Sequence, residues 1–459
     1  MQPAHEPRLP PGPPVRRGLR DAIPFFLGFA RDPLGFVGGR FSSYGDVYFV
    51  PSQRPGEPGL YVLRHPDHLH AVLVTHAAKM RKEHSAFEQL SRVVGEGLLT
   101  TDGEVWRRQR RLLQPAFAQA RLATYAATMT REAARVRSGF TDGQSLELSR
   151  EMMELTLRVV CQTLFSHDAS NDTDDVSRAM VVLQDTVSRP DLLPKWLPTP
   201  GRRRFRRSVE AIDRIVYRMI RERRAESPEA APQDLLQSMI AAVDSEGDGA
   251  GLSEREMRDQ LVTLFLAGHE TTSHALTWTF YLLSQNPSAE RALHEELDRV
   301  LGRGREARLP TFEDLPQLPY TEMVLKESMR IYPPVYLLAR RAAEDVEIGG
   351  YVIPKGSELV LWVYLTHHDA RWFPEPEAFR PERFTPEAEA SLPKNAYVPF
   401  GAGPRACIGK TFAMIEARLL LATIAQSFRL EHAEGHRVAM NPRVTLNPKH
   451  GMKMVARAR

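Results

Sequence analysis

The chain has only two cysteines, Cys161 and Cys407, in 459 residues, so no disulfide framework organises it. Cys161 lies in the apolar stretch LTLRVVCQTLF and reads as a small buried hydrophobe. No run of about eighteen uninterrupted apolar residues occurs, which leaves no transmembrane helix and no membrane anchor. The N-terminus lacks the apolar stretch of a secretory signal; its first fourteen residues contain six prolines instead. Charge of one sign is also missing. Lys and Arg number 61 against 57 Asp and Glu, a net +4, too weak and scattered for a nucleic-acid footprint. Repeats of about 20–50 residues are absent, so the chain is no solenoid or propeller. These absences imply a soluble, cytoplasmic protein, expected to be a monomer.

What is present is a globular composition, 42% hydrophobic and 26% charged. Residues 1–20 are expected to form a flexible proline-rich leader, and 21–459 a single domain. DVYFVP (46–51) and GLYVLR (59–64) predict strands of a small sheet. Amphipathic helical patterns then run from about 66 to 340, broken by SRPDLLPKWLPTPG (188–201) and by loops at 227–234 and 244–251. Ser253 with Glu256 makes a capping box that opens a long helix, and Asn286-Pro287 closes it. At roughly 1.5 Å per residue such a helix crosses a whole domain. From 345, glycine and proline punctuate β-rich runs that predict a second sheet. A last helix is expected over about 408–427, with a closing hairpin from PRVTLNP to GMKMVAR. The fold class is mainly α with small β-sheets (α+β).

Four groups of residues carry chemistry. In PFGAGPRACIGKTF, Gly401, Gly403 and Pro404 predict a tight loop, with Cys407 just before a helix whose N–H groups stabilise a thiolate. Gly409 admits a bulky planar partner close to the backbone. In LFLAGHETTSHAL, His269, Glu270 and His274 invite a metal reading. Zinc helices place histidines four apart, however, and a spacing of five turns these imidazoles roughly 140° apart. Glu270 and Thr271 are polar positions in an apolar helix, costly without a purpose. KESMR sets Glu327 and Arg330 on one helix face, and WRRQRR does the same for Trp106 and Arg110.

Phe400, Gly403, Arg405, Cys407 and Gly409 match F-x-x-G-x-R-x-C-x-G, and the chain resembles the cytochrome P450 superfamily over most of its length. A-G-x-E-T-T, E-x-x-R, PERF and W-x-x-x-R are similar to further elements of that family. The resemblance implies the family's fold, with haem b held by the thiolate of Cys407. It further implies that Trp106, Arg110, Arg340 and Arg405 meet the haem propionates, Arg341 being the alternative to Arg340. Ala267 and Gly268 would leave room at the iron, Thr271 would hydrogen-bond the oxygen being activated, and Glu270 would relay protons. Glu327 and Arg330 would lock to Arg383 in a buried structural network.

The expected reaction is insertion of one oxygen atom from O2 into a hydrophobic organic substrate, by hydroxylation or epoxidation. Electrons from NAD(P)H would arrive through a separate ferredoxin or flavodoxin with its reductase, because the segment after Cys407 is too short for a flavin or nicotinamide domain. Arg107, Arg108 and Arg111 could offer that partner a basic face. The substrate pocket would include Leu98, Leu99, Leu266, Ala267, Val335, Leu337, Leu338 and Thr445, an aliphatic lining suited to a fatty acid, terpenoid, steroid or macrolide-like molecule. A peroxide-driven peroxygenase on the same fold and a non-enzymatic haem protein are the alternatives. A thiol hydrolase is less favoured, since no recognisable motif places a histidine beside Cys407.

Overall fold

The computed structural model describes residues 9–14, 19–52, 58–83, 85–167, 199–227, 234–243, 251–304 and 307–459, with a few isolated positions between 179 and 232. In chain order the first elements are α1 (Leu19–Arg31), α2 (Pro33–Tyr44), β1 (Val47–Val50), β2 (Leu60–Leu63), α3 (Pro66–His70), β3 (Met80–Arg81) and α4 (Ser85–Val94). Next come α5 (Gly103–Leu113), α6 (Gln119–Ser138), β4 (Ser145–Glu147), α7 (Leu148–Leu164), α8 (Pro200–Ala225) and α9 (Leu235–Ala241). They are followed by α10 (Glu254–Gln285), α11 (Pro287–Leu301), α12 (Pro319–Ile331), β5 (Leu338–Ala342), β6 (Val346–Ile348), β7 (Tyr351–Ile353) and β8 (Glu358–Leu361). The last are α13 (Val363–His367), α14 (Pro386–Ser391), α15 (Lys410–Ala425), β9 (Phe428–His432), β10 (Met440–Pro442), β11 (Leu446–Pro448) and β12 (Lys453–Ala458). The fold is mainly helical with small sheets. Most of the proline-rich connector 188–201 and of the loops at 227–234 and 244–251 lies outside the described residues.

Two compact units emerge. The first comprises Met1–Glu88, Arg330–Phe379 and Phe384–Cys407. Its sheet runs β1-β2-β8-β5-β3, with β2 and β8 parallel and the other pairs antiparallel. Side chains alternate across each strand, so Tyr61 and Leu63 with Leu359 and Leu361 form a buried face, joined by Leu69, Val72, Leu73 and Val398. Part of the leader is seated on this sheet, in contrast to a wholly flexible segment. Pro11 O accepts the Phe49 N–H at 3.0 Å, and Pro10 is buried. A proline carbonyl can accept from a sheet edge while the proline itself has no N–H to offer. Residues 1–8 and 15–18 lie outside the described residues.

The second unit comprises Gln89–Met329, Arg380–Arg383 and Ile408–Arg459. Its axis is α10, which packs along α7 and also meets α8 and α15. The expected capping box is there: the Ser253 hydroxyl accepts the Glu256 N–H and the Glu256 carboxylate accepts the Ser253 N–H. Asn286 closes α10 and Pro287 opens α11. Because α10 is buried on nearly every side, its hydroxyls satisfy themselves on the preceding turn. Thr263, Thr277 and Thr279 donate to the carbonyls of Asp259, Ser273 and Ala275 at 2.6–2.7 Å.

The C-terminal strands depart from the expected closing hairpin. β10 and β11 pair with each other, but β12 inserts between β4 and β9. Met454 and Ala456 are buried in that sheet. The alternation of 453–458 marks a strand but carries no information about its partner, which is chosen by long-range packing.

Candidate active site

In the first unit, the loop before Cys407 is built on two glycines with φ of 67°, Gly401 and Gly403. Gly403 is required twice over, since a Cβ there would lie 2.0 Å from Leu73 O. The Cys407 N–H donates to Phe400 O at 2.9 Å, closing the loop. α15 begins at Lys410 with Gly409 as its N-cap, two residues after the expected start near 408. Gly409 has φ of −89°, so the backbone itself does not demand glycine there. Cys407 is exposed, whereas Cys161 is buried as expected.

β5 runs beside this loop, and a Cβ on Gly401 would touch Leu338 at 3.8 Å. Strand alternation separates the two arginines that follow. Arg340 is buried, with Nη1 donating to Ala339 O at 2.7 Å. Arg341 turns outward to Glu358 at 3.0 Å. Val335, Leu337, Leu338 and Arg405 are half-buried. Arg330 is fully buried and donates to the carbonyls of His367 (3.0 Å) and Ala378 (3.3 Å). His367, which sequence reasoning missed, accepts the Val398 N–H at Nε2 (3.0 Å), and Val398 O in turn accepts the Gly401 N–H. Arg330 thereby supports the cysteine loop through backbone groups, a role wider than the expected lock to Arg383.

In the second unit, Glu327 is fully buried, accepts the Arg380 N–H at 2.9 Å and pairs with Arg383 at 3.3 Å. On α5, the Arg110 guanidinium lies 5.9 Å from the Trp106 ring centre, as the i, i+4 spacing requires. Both line a concavity of about 530 Å³ with Arg107, Arg111 and Pro115. Arg108 does not join that face. It points the other way, to Glu256 at 2.9 Å and Gly251 O at 2.6 Å.

Midway along α10 the burial breaks: Ala267 is exposed, and Gly268 and Thr271 are half-exposed. The Thr271 hydroxyl donates to Ala267 O at 2.8 Å. A Cβ on Gly268 would press Val160 of α7 at 3.1 Å, so glycine there lets α7 and α10 approach closely. Glu270, the residue before Thr271, is buried, accepts the Thr445 hydroxyl at 2.6 Å and lies 3.5 Å from His274 Nε2. Burial pushes its carboxyl up, but the His274 and Thr445 contacts outweigh that and hold it below the ordinary carboxylate range. Thr445 was expected to line the pocket; it is buried with its hydroxyl spent on Glu270. His269 Nδ1 lies 2.5 Å from Phe265 O, where burial lowers its pKa.

The loop carrying Leu98 and Leu99 is stapled to the same helix by residues that sequence reasoning passed over. Asp259 accepts the Glu96 N–H and Gln260 the Leu98 N–H, both at 2.9 Å. Arg258 bridges Asp213 of α8, Asp259 and Val93 O. A Cβ on Gly95 or Gly97 would collide with Asp259 or Thr263. The signal available was the G-x-G at 95–97 and the charged RDQ inside an apolar helix. Leu98 and Leu266 are largely buried, and Leu99 half-buried.

Residues 40–454 match the family model for cytochrome P450. Cyclooctatin synthase of Streptomyces melanosporofaciens is 37% identical over 422 residues, 91% of this chain and 90% of the relative. The cyclooctat-9-en-7-ol 5-monooxygenase of the same organism is 35% identical, covering 88% and 86%. The crystal structure of the cytochrome P450DA heme domain superposes with a TM-score of 0.82 at 27% identity, covering 99% of this chain and 98% of that one. The chain belongs to the cytochrome P450 family.

Cytochrome P450 enzymes are haem monooxygenases, and the donor set here suits haem. Among the described residues no group of three or more His, Cys, Asp or Glu side chains converges on a metal. The exposed sulfur of Cys407 is a donor that suits an iron whose other ligands come with a macrocycle. Among the described residues no helix of this P450 is long and apolar enough to cross a membrane.

Proposed function

We propose that this P450 inserts one atom of O2 into an unactivated bond of a hydrophobic carbocyclic substrate and releases the other as water. Two electrons from NAD(P)H enter through a separate ferredoxin or flavodoxin with its reductase, and two protons complete the balance. Cys407 would hold the haem through its sulfur, and the haem would supply the oxygen chemistry there. Phe400, Gly401 and Gly409 shape the cradle, while Trp106, Arg110, Arg340 and Arg405 neutralise the propionates. The outward Glu358 pairing of Arg341 favours Arg340 for that role.

The observation that carries the reading is the open turn of α10, where a hydroxyl faces out beside a buried charged carboxyl. Thr271 positions a proton donor at that turn once its hydroxyl leaves Ala267 O. Glu270, kept ionised by Thr445 and His274, takes a proton from solvent water, passes it on toward Thr271 and returns to the carboxylate. A peroxide-driven enzyme has no need of such a pair. Leu98, Leu99, Leu266, Ala267, Val335, Leu337 and Leu338 exclude water and select apolar carbon frameworks. The name of one relative specifies an unsaturated alcohol oxidised at ring position 5, which fits that lining.

The test is the optical spectrum of the reduced, CO-treated protein. A thiolate-type Soret band, lost in Cys407→Ala, is expected; a histidine-type band in the wild type refutes the ligand. Turnover should require NAD(P)H and a redox partner, with Thr271→Ala diverting electrons into free peroxide. Efficient turnover on peroxide alone would favour the peroxygenase.

A further inference from the structure

α15 begins three residues after Cys407 and packs against α6 and α10. Midway along it stands Glu416, fully buried, whose two carboxyl oxygens accept no hydrogen bond among the described residues. Among the described residues, the polar group that acts on it is the Thr272 hydroxyl of α10, adjacent to Thr271. No charged side chain of α6, α10 or β9 acts on it among the described residues, and burial pushes its carboxyl well up, far outweighing the opposite pull of Thr272. The Thr272 hydroxyl has one proton, and it is committed to Gly268 O at 3.1 Å. What Thr272 can offer Glu416 is therefore a lone pair. An ionised carboxylate there would meet no donor and lose its hydration outright, a state that buried acids avoid by binding a proton. A neutral acid, by contrast, has a proton to give to that lone pair.

We propose that Glu416 rests as the neutral acid and acts as a positioning residue for the oxygen-handling turn of α10, by donating its carboxyl proton in a hydrogen bond to the Thr272 hydroxyl. No bond is made or broken. The Thr272 proton stays on Gly268 O, and the turn Gly268–Thr272 that carries Glu270 and Thr271 is held in one geometry. Two different acids thus flank this turn: Glu270 ionised beside His274 and Thr445, Glu416 neutral behind Thr272. The inference deepens the monooxygenase reading and rests on it for its functional half only.

Infrared spectroscopy of the full-length protein tests the protonation. At neutral pH the wild type should show the carbonyl stretch of a hydrogen-bonded, protonated carboxyl that is missing from Glu416→Gln. Thr272→Val should shift that band to the frequency of a free acid. No such band in the wild type, its persistence in Glu416→Gln, or an unmoved band in Thr272→Val would each overturn the proposal. The functional half compares two variants. Glu416→Gln keeps a donor and should couple as the wild type does. Glu416→Met, of similar length without one, should release about fivefold more peroxide per nicotinamide oxidised, the ratio that about 1 kcal/mol gives. Unchanged coupling in Glu416→Met removes the positioning role. A wild type without the thiolate CO band fails the monooxygenase reading instead, and the infrared result stands apart from it.

Discussion

Replacing Thr445 by valine removes a single O–H donor from Glu270 and leaves the volume nearly unchanged. The bond is short, 2.6 Å, and its acceptor is a buried carboxylate. A hydrogen bond to a charged group contributes about 1.5–3 kcal/mol, against about 1 kcal/mol for a neutral pair. Its loss should raise the Glu270 pKa from its depressed position. Glu270 is depressed in the folded protein, so its contribution exists above the unfolded carboxylate pKa and fades as pH falls through the lower folded value. The penalty of Thr445→Val should therefore be full at neutral pH and shrink toward the acid limit of the folded state. A double-mutant cycle of Thr445→Val with Glu270→Gln, read by guanidinium unfolding of the haem-loaded protein, should give a coupling of about 1.5–3 kcal/mol. A coupling below about 0.5 kcal/mol, or a penalty that grows on acidification, would refute the reasoning.

Gly403→Ala combines a left-handed backbone, about 1–2 kcal/mol for an L residue, with a Cβ 2.0 Å from Leu73 O. Haem content per chain should fall and thermal unfolding should come earlier, while Gly409→Ala, at an ordinary φ, should lose less stability in the haem-free protein. Asp259→Ala leaves Arg258 with Asp213 and Val93 O and frees the Glu96 N–H, so about 2–4 kcal/mol of local stability should go. Because that loop carries Leu98 and Leu99, KM for an apolar substrate should rise with the CO spectrum unchanged. An unchanged KM would separate the staple from substrate binding.

The parts of this protein legible in its sequence are those whose cause is local. The start of α10 follows from Ser253 and Glu256, its end from Pro287, and the tight loop before Cys407 from Gly401 and Gly403. E-x-x-R, with its partner Arg383, was readable only by resemblance, since an i, i+3 pair has no private signal. Contacts made across long stretches of chain stayed hidden. Thr445 lies 175 positions from Glu270, and nothing about a threonine in a hairpin turn announces a buried carboxylate as its acceptor. Arg108 and Arg110 are equally charged, and only the helical wheel together with Glu256 assigns them to different faces. The pairing of β12 was missed for the same reason, because strand alternation reports which face is buried and leaves the neighbour undetermined.

The short segment on the rim of β1 covers an edge that could otherwise recruit another chain. β1 is the terminal strand of its sheet, and an unpaired terminal strand is a template for another chain. Pro11 occupies one carbonyl-to-amide contact with Phe49, and its neighbour Pro10, also a proline, cannot pass the ladder on, so the sheet stops there. Shortening the leader past Pro11 would uncover that rim while leaving every haem-handling residue intact. Forms trimmed in this way should suffer in solubility and self-association long before they suffer in catalysis.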